Sequence, residues 1–324
     1  MRSRVRSDTR RSRPGTRVTS TARRWIIGRG LLGRAVSRSR ADTPFAVDVS
    51  WDDPERAIRE LTAGAEAFLR VPGPVEIYWC AGKGVTSTPR ESLFAEVALF
   101  GAFLDVLARS PLATADRLVL FLASSVGGAY GGAVEPPHRE STPPASASAY
   151  GDAKLAMEAL AAERGAEQGW RTVIGRLTNL YGPGQDLTKK QGLISTLVDS
   201  AITMQPAIIY VSLDTLRDYI FEDDAAAVVS AAASRARLLP AGATVVKIVG
   251  TGRAVSVGAI LGELRRLRRR SGFSLLGQGP ATGQALDLRV RSEVWTDLDA
   301  LVATTLPEGL DRVLRARLAM LGRP

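Results

Sequence analysis

Three glycines between an apolar segment and a helical segment constrain this chain more than any other feature. They follow residues 25–27, a short apolar run typical of a buried strand, and they precede a segment of helical periodicity that extends to residue 38. In the spacing G-x-G-x-x-G, the first glycine can take a tight turn and the second lets backbone N–H groups approach a pyrophosphate. The third permits close packing of the helix on the strand. The sequence therefore predicts a dinucleotide-binding loop formed by Gly28, Gly30, Leu31, Leu32 and Gly33.

Apolar runs typical of buried strands alternate with longer helical segments after this loop, which predicts a parallel sheet with helices on both faces. The predicted strands are residues 25–27, 45–49, 75–80, 117–123, 172–177, 208–211 and 245–249. The predicted helices are residues 30–38, 54–69, 92–108, 150–167, 193–203, 223–234 and 257–270, and two short helical pieces follow a predicted loop at 278–284.

This pattern predicts an α/β fold with a Rossmann-type, doubly wound parallel sheet and a smaller C-terminal substrate lobe. We expect residues 24–180 to form the dinucleotide-binding domain. Residues 181–324 should form mainly the substrate-binding lobe, with some strands and helices returning to the first domain.

The formal charge of +10 is concentrated at the N-terminus. Residues 1–24 contain nine arginines and one aspartate, so the remainder of the chain is close to balanced. This leader has too few apolar residues to bury a core, and we expect residues 1–23 to be a disordered basic tail. A nucleic-acid-binding arm, an organelle transit peptide and a start codon assigned too far upstream are the alternatives. We favour a dispensable tail and expect no nucleic-acid partner.

Composition excludes several other classes of protein. No apolar run approaches the ~20 residues that span a bilayer, and the N-terminus lacks the apolar core of a secretory signal. We therefore expect a cytoplasmic protein that does not bind membranes. The only cysteine, Cys80, lies in a predicted strand, where a small buried hydrophobe is the expected role. The only histidine, His138, lies in a Pro- and Ser-rich run and is expected to be a solvated loop residue, which disfavours Ser-His-Asp chemistry.

The choice of dinucleotide is open at this stage. Asp48 lies 20 residues after Gly28, at the end of the predicted second strand, where an acidic residue can bind the adenosine ribose of NAD. Arg38 and Arg40 lie nearer the end of the first helix and could bind the 2′-phosphate of NADP instead. The cofactor is therefore predicted to be NAD or NADP.

A serine, a tyrosine and a lysine form the candidate catalytic group. Ser124 and Ser125 close the predicted strand 117–123, and Tyr150 and Lys154 lie four residues apart on one face of the next predicted helix. A nearby ammonium favours tyrosinate, so that the tyrosine can exchange a proton with a substrate hydroxyl. Tyr-x-x-x-Lys is common by chance. Its combination with the glycine loop and the upstream serines predicts a catalytic site.

Taken in order, these motifs resemble those of the extended short-chain dehydrogenases/reductases, in the branch of nucleotide-sugar epimerases and reductases similar to UDP-galactose 4-epimerase. The resemblance runs from residue 26 to about residue 315. Its motifs are residues 28–33, 80–82, 124–125 with 130–131, 150–154, 175–184 (GRLTNLYGPG), 217–224 (RDYIFEDD) and 249–252 (VGTG).

The resemblance implies a role for each candidate residue. Tyr150 would be the acid/base, Lys154 would bind the nicotinamide ribose and tune Tyr150, and Ser125 would orient the reacting hydroxyl. Ala81 and Gly82 would line the adenine side of the cofactor site. Asn179 and Arg217 would face the substrate, with Arg217 against a nucleotide diphosphate. The alternative for Arg217 is an ion pair with Asp218 or Glu222.

The implied function is that of an epimerase or ketoreductase acting on a nucleotide-linked sugar, as a homodimer formed through two helices per subunit, including 150–167. The chain departs from the family pattern at Ile27, where a further glycine is usual, and in its truncated second-strand region. It also lacks the Thr-Asp-Glu signature of sugar 4,6-dehydratases, which disfavours dehydratase chemistry. A non-catalytic dinucleotide-binding regulator or scaffold is the alternative. Because such a protein would be expected to lose Tyr150 or Lys154, we favour an enzyme.

Overall fold

A computed structural model of the chain describes residues 21–186, 192–209, 211–268, 275–276 and 285–322. The strands are β1 Arg23–Ile27, β2 Val75–Trp79, β3 Leu118–Ser125, β4 Arg171–Leu177, β5 Asn179–Tyr181, β6 Ala207–Ile208, β7 Leu216–Phe221, β8 Thr244–Val249, β9 Ala254–Ser256, β10 Leu275–Leu276 and β11 Asp287–Leu288. The helices are α1 Leu31–Arg38, α2 Pro54–Leu69, α3 Arg90–Arg109, α4 Val126–Tyr130, α5 Ala149–Gln168, α6 Leu193–Thr203, α7 Glu222–Ala236, α8 Val257–Arg268 and α9 Leu306–Met320. A 3₁₀-helix spans Thr296–Leu301.

Five parallel strands form the main sheet in the order β1-β2-β3-β4-β8. Every residue of β2 and the first five residues of β3 are buried, as expected for strands covered on both faces. A smaller sheet has the order β11-β7-β5, with β9 antiparallel to β7. Strands β6 and β10 form a separate parallel pair.

Helices cover both faces of the main sheet. On one face, α2, α3 and α5 bury an aromatic-rich core that includes Phe68, Phe103 and Met157. On the other face, α1 and α7 bury smaller side chains such as Val36 and Val229. A third core joins α6, α8 and α9 to the smaller sheet. The predicted Rossmann-type, doubly wound sheet is confirmed, and β8 and α7 return from the second part of the chain to complete it.

The predicted strand at residues 45–49 is wrong. Only Phe45 bridges β1, through Trp25, and its N–H donates to the carbonyl oxygen of Arg24 at 2.7 Å. The buried Arg24 side chain fixes this turn, because its guanidinium contacts the carboxylate of Asp42 at 2.8 Å and the carbonyl oxygen of Val36 at 2.7 Å. The apolar residues of the segment pack on the α2 face of the core without forming a ladder. Strand β1 therefore has a full partner on one side only.

His138 is buried, so the prediction of a solvated loop histidine is also wrong. Its ring stacks on Tyr130 with centroids 5.2 Å apart. The backbone N–H of His138 donates to the carbonyl oxygen of Arg289 at 2.8 Å, and its backbone carbonyl oxygen accepts from the N–H of Arg291 at 2.9 Å. Because this run is covered by residues 287–293, burial lowers the pKa of the imidazole.

Other predictions fall partly outside the described residues. The leader lies there except for residues 21–23, and Arg23 already belongs to β1. The predicted loop at 278–284 lies there entirely, and the predicted strand at 208–211 is described only in part, with β6 ending at Ile208. The domain division at residue 180 stays a prediction. In the described ranges, no helix combines the length and apolarity needed to cross a membrane.

A buried polar network joins the elements that carry the candidate catalytic residues. The Arg176 guanidinium of β4 contacts the Glu158 carboxylate of α5 at 2.6 Å and donates to the Tyr130 hydroxyl at 2.7 Å. The Ser124 hydroxyl of β3 donates to the same carboxylate at 2.5 Å. Burial opposes the charge of Arg176. The hydrogen bond to Glu158 and the charge of its carboxylate nevertheless raise the pKa of the guanidinium above its usual value. The network therefore holds α5 against β3 and β4.

Glu158→Ala should destabilise the fold by about 3–5 kcal/mol, because it leaves the buried Arg176 charge without its partner. Chemical denaturation measures this as a lower free energy of unfolding. The double variant Glu158→Leu/Arg176→Met should lose much less, since it removes both charges. Equal losses in the two variants would contradict an essential pairing.

Candidate active site

A cavity of about 1740 Å³ opens where the carboxyl ends of β1 to β4 meet. The carboxyl ends of parallel strands lie at one edge of a sheet, which is where α/β folds bind ligands. Eleven of the thirteen sequence-predicted site residues line this cavity: Gly28, Gly30, Leu31, Leu32, Ala81, Gly82, Ser125, Tyr150, Lys154, Asn179 and Arg217. Gly33 and Asp48 do not.

The glycine loop has the geometry that its spacing predicts. Gly28 has a φ of 89°, and a Cβ there would overlap the backbone of Ala81. Gly33 is buried, and a Cβ there would overlap the carbonyl oxygen of Gly28. Gly30 precedes the first residue of α1, and a Cβ built on it has no described atom within 4 Å. The backbone at Gly30 is therefore open to the cavity, whereas the other two glycines serve tight packing.

Asp48 is exposed and lies outside the cavity lining. Because residues 45–49 form no strand, no strand end directs its carboxylate to the cavity. Asp52, which follows this segment, lines the cavity instead. Its Oδ1 lies 2.6 Å from Nζ of Lys83. The predicted placement of Asp48 at a strand end is therefore wrong.

Arg38 and Arg40 also lie outside the cavity lining. Arg38 contacts the carboxylates of Glu222 and Asp223 at 3.3 and 3.2 Å. Arg40 contacts the buried carboxylate of Glu76 at 2.9 Å. Both guanidinium groups are thus engaged on the α7 side of the sheet.

The two serines at the end of β3 have different partners. The Ser124 hydroxyl donates to Glu158 in the buried network. Ser125 lines the cavity and caps α4, where its Oγ accepts a hydrogen bond from the Gly128 N–H at 3.1 Å. The hydroxyl proton of Ser125 is not used by that bond. Ser125 can therefore donate to a ligand oxygen.

Tyr150 and Lys154 lie in the first turns of α5, whose N-terminus is capped by Ser148. Nζ of Lys154 lies 5.9 Å from the centroid of the Tyr150 ring. A Cβ on Gly128 would lie 3.4 Å from the Cβ atoms of both Ser125 and Lys154, so this glycine lets α4 approach α5 closely. Serine, tyrosine and lysine are therefore brought to one wall of the cavity.

Arg217 and Asn179 lie on the smaller sheet. The Arg217 guanidinium donates to the backbone carbonyls of Leu216 at 2.8 Å and Ala285 at 2.6 Å, and burial lowers its pKa. The Asn179 amide donates to the carbonyl oxygen of Asp218 at 2.9 Å.

The alternative ion pair of Arg217 is not formed. The carboxylate of Asp218 accepts from Thr178 and Thr251, and Glu222 pairs with Arg38. Within the described ranges, no carboxylate lies in ion-pair distance of Arg217. A positive charge at the cavity wall is thus held by hydrogen bonds to backbone carbonyl oxygens.

Cys80 lines the cavity, but burial raises the pKa of its thiol to about 12. The thiol therefore stays protonated near neutral pH, which argues against a nucleophilic role. The described part of the chain also has no cluster of three or more His, Cys, Asp or Glu side chains that could hold a metal.

Glu96 of α3 is a cavity residue that the sequence did not single out. Its Oε1 accepts hydrogen bonds from the backbone N–H groups of Lys83 at 2.8 Å and Gly84 at 3.1 Å. Glu96 shares a helical face with the buried Leu93 and Phe100. A carboxylate among the apolar positions of this helical face was the sequence signal that could have identified Glu96 as a site residue.

The model of the NAD dependent epimerase/dehydratase family matches residues 28–246, about two thirds of the chain. No curated protein matches the sequence. Among solved structures, MoeE5 in complex with UDP-glucose and NAD is 22% identical, with a TM-score of 0.74, over 93% of this chain and 100% of that chain.

Two UDP-glucose 4-epimerases also share the fold. The enzyme from Thermotoga maritima with UDP-glucose is 19% identical, with a TM-score of 0.71, over 87% of this chain and 86% of that chain. The enzyme from Thermus thermophilus in complex with NAD is 21% identical, with a TM-score of 0.69, over 90% of this chain and 98% of that chain. The family match, the fold and the position of the cavity agree, and the chain belongs to the NAD-dependent epimerase/dehydratase family.

Proposed function

We propose that this enzyme oxidises and reduces a carbinol carbon of a nucleotide-linked sugar, as an epimerase or a ketoreductase, with Tyr150 as its acid/base. The observation that carries the proposal is the shared cavity. It places the open backbone of Gly30, the group of Ser125, Tyr150 and Lys154, and the Arg217 guanidinium around one space.

The cavity wall near α1 fits a dinucleotide. The backbone at Gly30 and the N-terminus of α1 face open space, which suits a pyrophosphate. We favour NAD over NADP, because Arg38 and Arg40 are engaged by carboxylates outside the cavity and are not free to bind a 2′-phosphate. Bound NAD would supply the hydride acceptor and donor.

The residues of the chain supply the proton chemistry. As hydride leaves the carbinol carbon, Tyr150 in its tyrosinate form takes the hydroxyl proton, which leaves a carbonyl group on the sugar. The Lys154 ammonium stabilises the tyrosinate. It is free to do so, since no described residue forms an ion pair or hydrogen bond with it. Ser125 donates a hydrogen bond to the same substrate oxygen and orients it.

The wall formed by the smaller sheet fits the nucleotide part of the substrate. Arg217 has no carboxylate partner among the described residues, and a guanidinium binds phosphate oxygens in a bidentate manner. The cavity volume of about 1740 Å³ exceeds the ~300–1,000 Å³ typical of a site for one small ligand, which fits a dinucleotide together with a second ligand. MoeE5 and the Thermotoga maritima epimerase were solved with UDP-glucose, which makes UDP-sugars the first substrates to test.

Epimerase and ketoreductase differ in how they use the cofactor. An epimerase returns hydride to the same substrate and retains its cofactor, whereas a reductase exchanges it with solvent. A non-catalytic regulator would not need Ser125, Tyr150 and Lys154 together at one wall, so their arrangement favours an enzyme. The homodimer through α5 and the cytoplasmic location stay predictions.

Gly30→Val should weaken NAD binding roughly 10- to 100-fold while leaving the fold intact, because its side chain enters open cavity space and keeps phosphate from the backbone. Fluorescence titration measures the affinity and thermal unfolding measures the fold. Gly262→Val is the matched control, since a Cβ there also meets no described atom but lies outside the cavity lining. Unchanged NAD affinity in Gly30→Val would mean that the loop is only a tight turn.

Tyr150→Phe should lower the rate of single-turnover hydride transfer with UDP-sugars about 10²–10⁴-fold, because the proton acceptor is removed and the ring is kept. NAD affinity and Tm should be unchanged. Tyr219→Phe is the control, because burial raises the pKa of Tyr219 to about 12 and leaves it protonated near neutral pH. A Tyr150→Phe rate equal to that of the unmodified enzyme would reject the mechanism.

A further inference from the structure

The loop after β2 is held in place by a carboxylate from α3. Oε1 of Glu96 accepts the two backbone hydrogen bonds from Lys83 and Gly84, so one atom fixes two successive residues of the loop. Gly82 in the same loop has a φ of 151°, a conformation that favours glycine. The loop therefore depends on a side chain from another element for its shape at the cavity wall.

The second oxygen of Glu96 faces the catalytic group. Oε2 of Glu96 and Nζ of Lys154 each lie 3.5 Å from the point where a Cβ on Gly82 would stand. Oε2 also lies 3.5 Å from the corresponding point on Gly84, and Cδ2 of Tyr150 lies 3.8 Å from that point. Oε2 of Glu96 thus borders both glycines, with the Lys154 ammonium beside Gly82 and the Tyr150 ring beside Gly84.

Apart from Lys154, the other charged groups around Glu96 pair with one another, so Glu96 supplies the negative charge near Tyr150. Lys83 and Asp52 neutralise each other at 2.6 Å, and Arg90 and Asp152 at the starts of α3 and α5 pair at 2.9 Å. Lys154 supplies the positive charge, and it is not within ion-pair distance of Glu96. The remaining charged groups along the cavity are Arg29, Arg34, Asp186, Arg217 and Asp218.

A carboxylate that shares the neighbour Gly84 with the tyrosine ring opposes the effect of the lysine. A negative charge disfavours tyrosinate, whereas the ammonium favours it. We propose that Glu96 is a positioning residue, which holds residues 82–84 through Oε1 and sets the charge balance around Tyr150 and Lys154 through Oε2. The inference rests on the proposed role of Tyr150 as acid/base. It adds that Glu96, a residue of a different helix, determines the pH range over which Tyr150 acts.

The test separates charge from shape. Glu96→Gln keeps an oxygen that can accept from the Lys83 and Gly84 N–H groups but removes the negative charge. Its effect is read from ultraviolet difference titration of tyrosinate, in which the spectrum of the Tyr150→Phe variant in the same background is subtracted to isolate Tyr150. We expect the titration midpoint to move to lower pH by roughly 0.5 to 1 pH unit, with Tm nearly unchanged.

Two further variants complete the design. Glu96→Asp keeps the charge and shortens the reach, so it should leave the midpoint near that of the unmodified protein while weakening NAD binding through a looser loop. Glu91→Gln removes a charge from the exposed first turn of the same helix, outside the cavity, and should leave the midpoint in place. An unmoved midpoint in Glu96→Gln, or an equal shift in Glu91→Gln, would overturn the inference.

The titration needs no substrate, so its outcome is separate from that of the proposed function. A shift in Glu96→Gln together with no turnover of any UDP-sugar supports the placement of Glu96 and contradicts the proposed reaction. Where turnover is observed, the acid limb of the kcat profile should move in the same direction and by a similar amount as the titration midpoint. An acid limb that moves without the midpoint overturns the inference.

Discussion

The geometry of the cavity wall depends on the buried ion pair between Arg176 and Glu158. This pair joins β4 to α5, and through Ser124 it also joins β3. Successive residues of a strand point to opposite faces, so the direction of Ser124 into the network leaves Ser125 directed to the cavity. The same pair holds the helix that carries Tyr150 and Lys154. A charge buried for structural reasons thus fixes the distances on which the proposed proton transfer depends.

The shortened edge of the sheet is the second constraint. Beyond β1 the chain forms one bridge at Phe45 in place of a strand, and the buried Arg24 holds the turn that leads to α2. The cost of this truncation is the loss of a strand end that would direct Asp48 towards a ribose. In the following segment, Asp52 lines the cavity and pairs with Lys83. The proposed adenosine side of the cavity is therefore formed by loops.

Local signals in the sequence predicted most of the fold, and most of the site residues that they singled out line the cavity. Helix α2 begins and ends where predicted, because Asp53 caps it and Pro54 occupies its first turn. The glycine loop was predictable because two of its constraints are local: Gly28 takes a positive φ, and Gly33 packs against the carbonyl oxygen of Gly28. The prediction of a strand at residues 45–49 was wrong because a strand requires a partner elsewhere in the chain, and no local pattern shows whether that partner exists. The prediction that His138 is exposed to solvent was also wrong because of distant contacts, since residues 287–293 cover it. Glu96 was missed because its role depends on its contacts with the loop at residues 82–84 and on its position near α5, which no local pattern shows.

The central claim is that Tyr150 acts on a hydroxyl of a nucleotide-linked sugar beside NAD. A crystal structure of the protein with NAD and a UDP-sugar tests it most directly, through the distance from Oη of Tyr150 to the nearest sugar hydroxyl oxygen. The account predicts a hydrogen-bond distance of about 2.6–3.2 Å, with Ser125 on the same oxygen and the pyrophosphate at Gly30. A sugar bound in the cavity with its hydroxyls out of reach of Tyr150 would contradict it.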